Sequence, residues 1–121
     1  MRRTLTGTLV LATLLAMCAC APATRFNWGN YEDALYRYYK SPAERDAYRT
    51  ALIDAIDRGR AQNSIAPGLL AELGYLYLED GDQARARVLF EEEITRFPEA
   101  RLFLARIIDN SATRPMAGGS P

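Results

Sequence analysis

Residues 73–98 read LGYLYLEDGDQARARVLFEEEITRFP, and this stretch decides the fold. Its apolar residues recur at helical rather than alternating spacing. Gly81-Asp82 interrupts the pattern and Pro98 ends it, so the stretch predicts two helices, over about 68–79 and 82–96, joined by a tight reversal. Gly74 and Ala86 are small where the two helices meet, which permits a closer approach than the usual axis separation of about 8–10 Å. Leu73, Tyr77 and Phe90 supply bulk around them. A single hairpin of this kind cannot bury its apolar face alone, so its neighbours must cover it.

The flanking sequence offers such neighbours. Asn30 can cap a helix from Tyr31 to about Lys40, with Glu32 and Asp33 in the first turn where the helix dipole favours anions. Pro42 stops it, and Ser41-Pro42-Ala43-Glu44 has the form of a capping box with proline at the first helical position. The next helix places Ala47, Tyr48, Ala51, Leu52, Ala55 and Ile56 on one stripe and ends near residues 59–63. A last helix, about 99–109, carries Leu102, Phe103, Leu104, Ile107 and Ile108. The expected fold class is all-α, about five helices joined by short turns.

On these residues, the hairpin resembles the tetratricopeptide repeat, a helix-turn-helix unit of about 34 residues. Placed on residues 67–100, the repeat positions are filled by Leu70, where tryptophan is usual, and by Leu73, Gly74, Tyr77, Gly81, Ala86, Phe90 and Pro98; Glu93 stands where a small residue is usual. Gly29, Tyr31, Ala34 and Tyr38 fall at the spacing of the second helix of a worn earlier repeat, and Leu102 to Ile108 at that of the first helix of a following one. A stack of about two and a half hairpins over residues 29–110 is expected.

The ends of the chain read differently. Met1-Arg2-Arg3 is a basic start, and the short apolar run that follows is below the roughly 20 residues needed to span a bilayer. The pattern is that of a secretory signal peptide over residues 1–19. The two cysteines, Cys18 and Cys20, lie at its end in LLAMCACAP, too close together for an unstrained disulfide. The arrangement resembles a bacterial lipobox, in which a small residue precedes the acylated cysteine. Ala19 before Cys20 meets that requirement and Met17 before Cys18 does not, so Cys20 is the expected lipidation site and Cys18 the alternative. Several acyl chains, palmitate among them, would then anchor a mature chain of 102 residues through a lipidated linker, 20–28. The resemblance further implies that Ala21, in place of Asp, favours the periplasmic face of the outer membrane. The other end, NSATRPMAGGSP from Asn110, is rich in Pro, Gly and small polar residues, and a disordered tail over 111–121 is expected.

Composition excludes several functions. Removing Arg2 and Arg3 leaves thirteen basic against fifteen acidic side chains, a net charge of −2, with no basic stripe to engage nucleic acid. The chain has no histidine and no cysteine beyond the lipid-site pair, so the common nucleophile–base pairs and metal sets are missing. Neighbouring acids such as Glu32/Asp33, Glu79/Asp80/Asp82 and Glu91/Glu92/Glu93 point about 100° apart on a helix and do not converge. Glu93, in a small-residue position, is expected to be partly buried and salt-bridged to an arginine. No catalytic residue, metal or cofactor is expected, and the protein is read as a non-enzyme.

The aromatic residues are the better lead. Trp28, Tyr31, Tyr36, Tyr38 and Tyr39 crowd together, and a ten-residue helix cannot bury all its tyrosines on one side. Either some are exposed for contact, as interfaces favour, or Trp28, Tyr31 and Tyr38 cap the core while the others lie on the surface. In tetratricopeptide proteins the inner face of the first helix often binds peptides, and the matching positions here are Gly68, Ala71, Glu72, Tyr75, Leu78 and Glu79. They lack the lysines and asparagines that grip a C-terminal carboxylate. The expected interaction face is Trp28, Tyr36, Tyr39, Ala71, Tyr75 and Leu78, suited to a helix or an apolar-basic segment.

Taken together, WGNYEDALYRYYKSP, APGLLAELGYLYLEDGD, FEEE and FPEARLFLARI resemble an uncharacterised family of small bacterial lipoproteins. That resemblance implies a setting near curli-secretion-type lipoproteins, one of which is the implied partner. The reading that follows is a lipid-anchored periplasmic adaptor in envelope or secretion assembly. Its rivals are a small-ligand or cell-wall enzyme accessory with a polar pocket lined by Glu93, and a purely structural, self-associating lipoprotein.

Overall fold

The computed structural model describes residues 25–113, with five α-helices and no strand among them. They are α1 (Tyr31–Lys40), α2 (Arg45–Ala61), α3 (Leu69–Glu79), α4 (Gln83–Arg96) and α5 (Arg101–Thr113), with 3-10 turns at Pro42–Glu44 and Pro98–Ala100. Cys18, Cys20, the signal segment and residues 114–121 lie outside the described residues. α5 includes Asn110 and runs to Thr113, so the start of the expected tail is helical.

Helix ends follow local backbone chemistry. α2 closes with Asn63 in the left-handed region, φ 49°, and Ser64 N–H donating to the Gly59 carbonyl at 2.7 Å. α3 closes the same way: Gly81 has φ 82° and Asp82 N–H donates to the Tyr77 carbonyl at 2.9 Å. Both are Schellman ends, in which the reversed chain satisfies carbonyls the helix leaves open. Asp82 then caps α4 by accepting from the Arg85 amide at 3.0 Å. The capping box expected at Ser41 does not form. Pro42–Glu44 is a tight 3-10 turn in which Glu44 N–H already donates to the Ser41 carbonyl, leaving no amide for the serine side chain. Asn30 likewise makes no side-chain cap, although its carbonyl accepts the Ala34 amide as the first bond of the helix.

α3 and α4 make the most extensive helix contact, and Gly74, which faces Phe90, is the reason they can approach. A Cβ at Gly74 would stand 2.6 Å from the Phe90 ring, which is 1% exposed, so the glycine is the floor on which the ring rests. Full burial of such a ring contributes roughly 2–3 kcal/mol. α1 packs against α2, not as the second helix of a preceding unit as its spacing suggested but as the first helix of its own hairpin. α5 packs on α4 through Leu104, which joins Ala86 and Phe90 in a second, smaller core. The larger core lies between the first two hairpins and centres on Leu52, Ile56 and Leu70. Ala47, placed on the buried stripe by spacing, is exposed; the stripe begins at Tyr48.

Several of the neighbouring acids instead pair with arginines across the hairpins. Arg45 of α2 bridges Glu79 and Asp80 and donates to the Leu76 carbonyl, while Arg49 also reaches Asp80. At the other end Arg60 pairs with Glu92, which also takes Arg96. Glu93 differs from expectation. It is fully buried and pairs with no arginine; Oε1 accepts the Gly68 amide at 2.6 Å, at the start of α3. Burial pushes its carboxyl above the ordinary range, against the opposing pull of the Gly68, Ala71 and Leu70 amides. The carboxylate acts as a cap supplied by α4 to a helix whose first amides lack partners.

Candidate functional site

α1, α3 and α5 share one face, and between them runs a groove of about 350 Å³. Tyr38 of α1 and Tyr48 at the start of α2 form one wall, Ala71, Glu72, Tyr75 and Glu79 of α3 the floor, and Phe103 of α5 borders the other side. A second hollow of about 330 Å³ continues it, lined by Tyr75, Leu78, Glu79, Gln83, Ile107 and Asn110. Tyr75 therefore stands between the two; it is 44% exposed and leans edge-on against Phe90, which fixes it from below.

Glu72 is the best-organised polar group on this face. The Tyr31 hydroxyl donates to both of its carboxylate oxygens at 2.9 Å, and the Tyr48 hydroxyl donates to Oε2. Burial, then the hydrogen bond and charge of Glu72, hold both phenols protonated well above their ordinary range. They are thus permanent donors, and the carboxylate is fixed as acceptor with its orientation set from two helices. Tyr38 stacks on Tyr48 with ring centroids 5.1 Å apart and planes within 8°.

The six residues expected to form one interaction face separate. Ala71, Tyr75 and Leu78 line the groove and its continuation. Trp28 lies in the strap before α1, packed between Phe26 and Tyr31. Phe26 and Trp28 both rest on the core, so the segment assigned to a linker takes part in the fold from Arg25, whose carbonyl accepts the Ser64 hydroxyl. Tyr36 and Tyr39 are 60% and 82% exposed and line neither hollow, because α1 turns its Tyr31, Ala34 and Tyr38 stripe inward. Spacing did not reveal the role of Tyr38, Tyr48 and Phe103, nor the bonding of Glu72, whose donors are 41 and 24 residues distant. The one available signal was Glu72 itself, an acid at an inner-face position flanked by small and apolar residues.

A row of rings connects strap to groove. Phe26, Trp28, Tyr31, Tyr48 and Tyr38 follow one another at centroid separations of 6.0, 5.5, 6.2 and 5.1 Å. Within the described residues, no helix is long and apolar enough to cross a membrane, and no group of three or more acids, Cys or His could hold a metal.

The fold is an all-α stack of helical hairpins. Residues 26–107 match the family described as Domain of unknown function (DUF4810), and the chain belongs to that family. No curated protein and no solved structure is significantly similar to it.

Proposed function

We propose that this chain is a non-enzymatic adaptor, lipid-anchored at Cys20 on the periplasmic face of the outer membrane, that holds a protein partner during envelope or secretion assembly. The groove carries the reading: Tyr75, Leu78 and Phe103 present apolar and aromatic surface on rigid helices, flanked by oriented carboxylates. Exposed rings held in place by a packed scaffold lose little conformational freedom on binding, which makes them effective contact residues. The family resemblance in the sequence supports the setting, and a curli-secretion-type lipoprotein is the partner of choice.

The polar-pocket alternative draws no support from Glu93, whose one hydrogen-bonded oxygen serves the start of α3. The test is site-specific photo-crosslinking in native membranes. Probes at Tyr75 and Phe103 are expected to capture the same envelope protein, and a probe at Tyr36 is not. Capture from all three positions alike, or from none, would overturn the assignment of the groove. Mass spectrometry of the native N-terminus checks the anchor; an unmodified Cys20 would exclude it.

A further inference from the structure

We propose that the groove selects an arginine side chain of its partner, seated against the Tyr38–Tyr48 stack and Phe103 with Glu72 as its charge partner. The inference rests on the reading of this groove as the binding face and names the chemistry it recognises.

Charge complementarity carries it. Glu72 and Glu79 are the charged residues lining the groove, and no arginine or lysine among the described residues lines either hollow. Glu79 is already paired with Arg45, whereas the partners of Glu72 are two neutral phenols. A carboxylate held by neutral donors alone, in a groove that no basic side chain lines, is an oriented acceptor for a cation supplied by a partner. Tyr31 and Tyr48 hold it in one orientation, so a second shift of the side chain is not needed on binding.

The aromatic walls decide which cation fits. A guanidinium is flat, weakly hydrated and able to stack on a ring while its edge donates to a carboxylate; an ammonium is a compact, strongly hydrated charge that cannot do both as well. The chain uses the same packing elsewhere: Arg85 and Arg49 lie 5.3 and 5.8 Å from the Tyr77 ring centre. In the groove, the tyrosine stack is present and the arginine is missing. The apolar residues beyond it, Ala71, Tyr75 and Leu78, suit the aliphatic neighbours of that arginine in an extended or helical segment.

The test uses the full chain in detergent and a defined probe, the blocked tripeptide acetyl-Leu-Arg-Leu-amide, with a citrulline peptide as its uncharged isostere and a lysine peptide as the other cation. Proton NMR reads the arginine side chain, whose methylene signals should move upfield on stacking over tyrosine rings. Arginine is expected to bind at least about tenfold more tightly than citrulline, the scale of one charge-assisted contact, with lysine between them. Glu72→Gln should remove that preference, and Phe103→Ala, at an exposed position, should weaken the arginine peptide while leaving the thermal transition in place. Equal binding of arginine and citrulline, or a preference unchanged in Glu72→Gln, overturns the proposal. So does tighter peptide binding in Arg114→Ala, which would make the chain's own arginine the occupant. A partner crosslinked at Tyr75 with no arginine preference would leave the adaptor standing and the arginine rejected; an arginine preference with no crosslinked partner would do the reverse.

Discussion

The backbone N–H of Gly68 donates to Glu93 across 25 residues of sequence at 2.6 Å, so α4 caps α3 from the side. Glu93→Ala removes the acceptor and leaves a void, and it is expected to cost about 2–4 kcal/mol in urea unfolding.

Glu93→Gln keeps an acceptor without the charge, and it should behave differently with pH. Burial raises the folded-state pKa of Glu93 above its unfolded value. Its stabilising contribution is then complete at pH below the ordinary carboxylate range and is lost as pH rises through the folded value. The glutamine variant should therefore gain on the wild type as pH rises above the ordinary carboxylate range. A constant difference would show that the acid titrates alike in both states.

Glu92, one residue earlier, has the opposite sign. The hydrogen bond from Arg60, with those charges and Arg96, holds its carboxyl below the ordinary range. That contribution is present above the unfolded value and is lost as pH falls through the folded one. Glu92→Gln should cost up to about 1 kcal/mol at neutral pH and nothing in acid, read from the same denaturation series.

Gly74→Ala places a methyl 2.6 Å from a ring that has nowhere to go. The expected cost is about 1–3 kcal/mol, recovered in part when Phe90→Leu is added. Simple additivity of the two changes in thermal unfolding would contradict the contact.

Tyr48→Phe and Tyr31→Phe each take one donor from Glu72, at an expected cost of about 1–2 kcal/mol. Because both serve one carboxylate, the double variant should depart from the sum. By contrast Tyr36→Ala and Tyr39→Ala, on the outward face of α1, should change stability by less than about 0.5 kcal/mol.

Much of the fold was legible. The helix-period pattern, Gly81-Asp82, Pro42 and Pro98 place four of the turns' limits within a residue or two, because turn chemistry is local. Gly74 and Ala86 were readable for a similar reason, since small residues on facing helices have few other uses. What failed was non-local or depended on which side a helix turns. The pairing of α1 with α2, the buried amide bond of Glu93, and the division of Tyr36 and Tyr39 from Tyr38 all depend on tertiary packing. The groove was half legible: Ala71, Tyr75 and Leu78 fall on one helical stripe, whereas Tyr38, Tyr48 and Phe103 reach it from three other helices.

The row from Phe26 to Tyr38 joins the strap to the groove by direct ring contact. Trp28 packs against Tyr31, the phenol that orients Glu72, so the segment ahead of α1 is a structural support of the groove and not a spacer beside it.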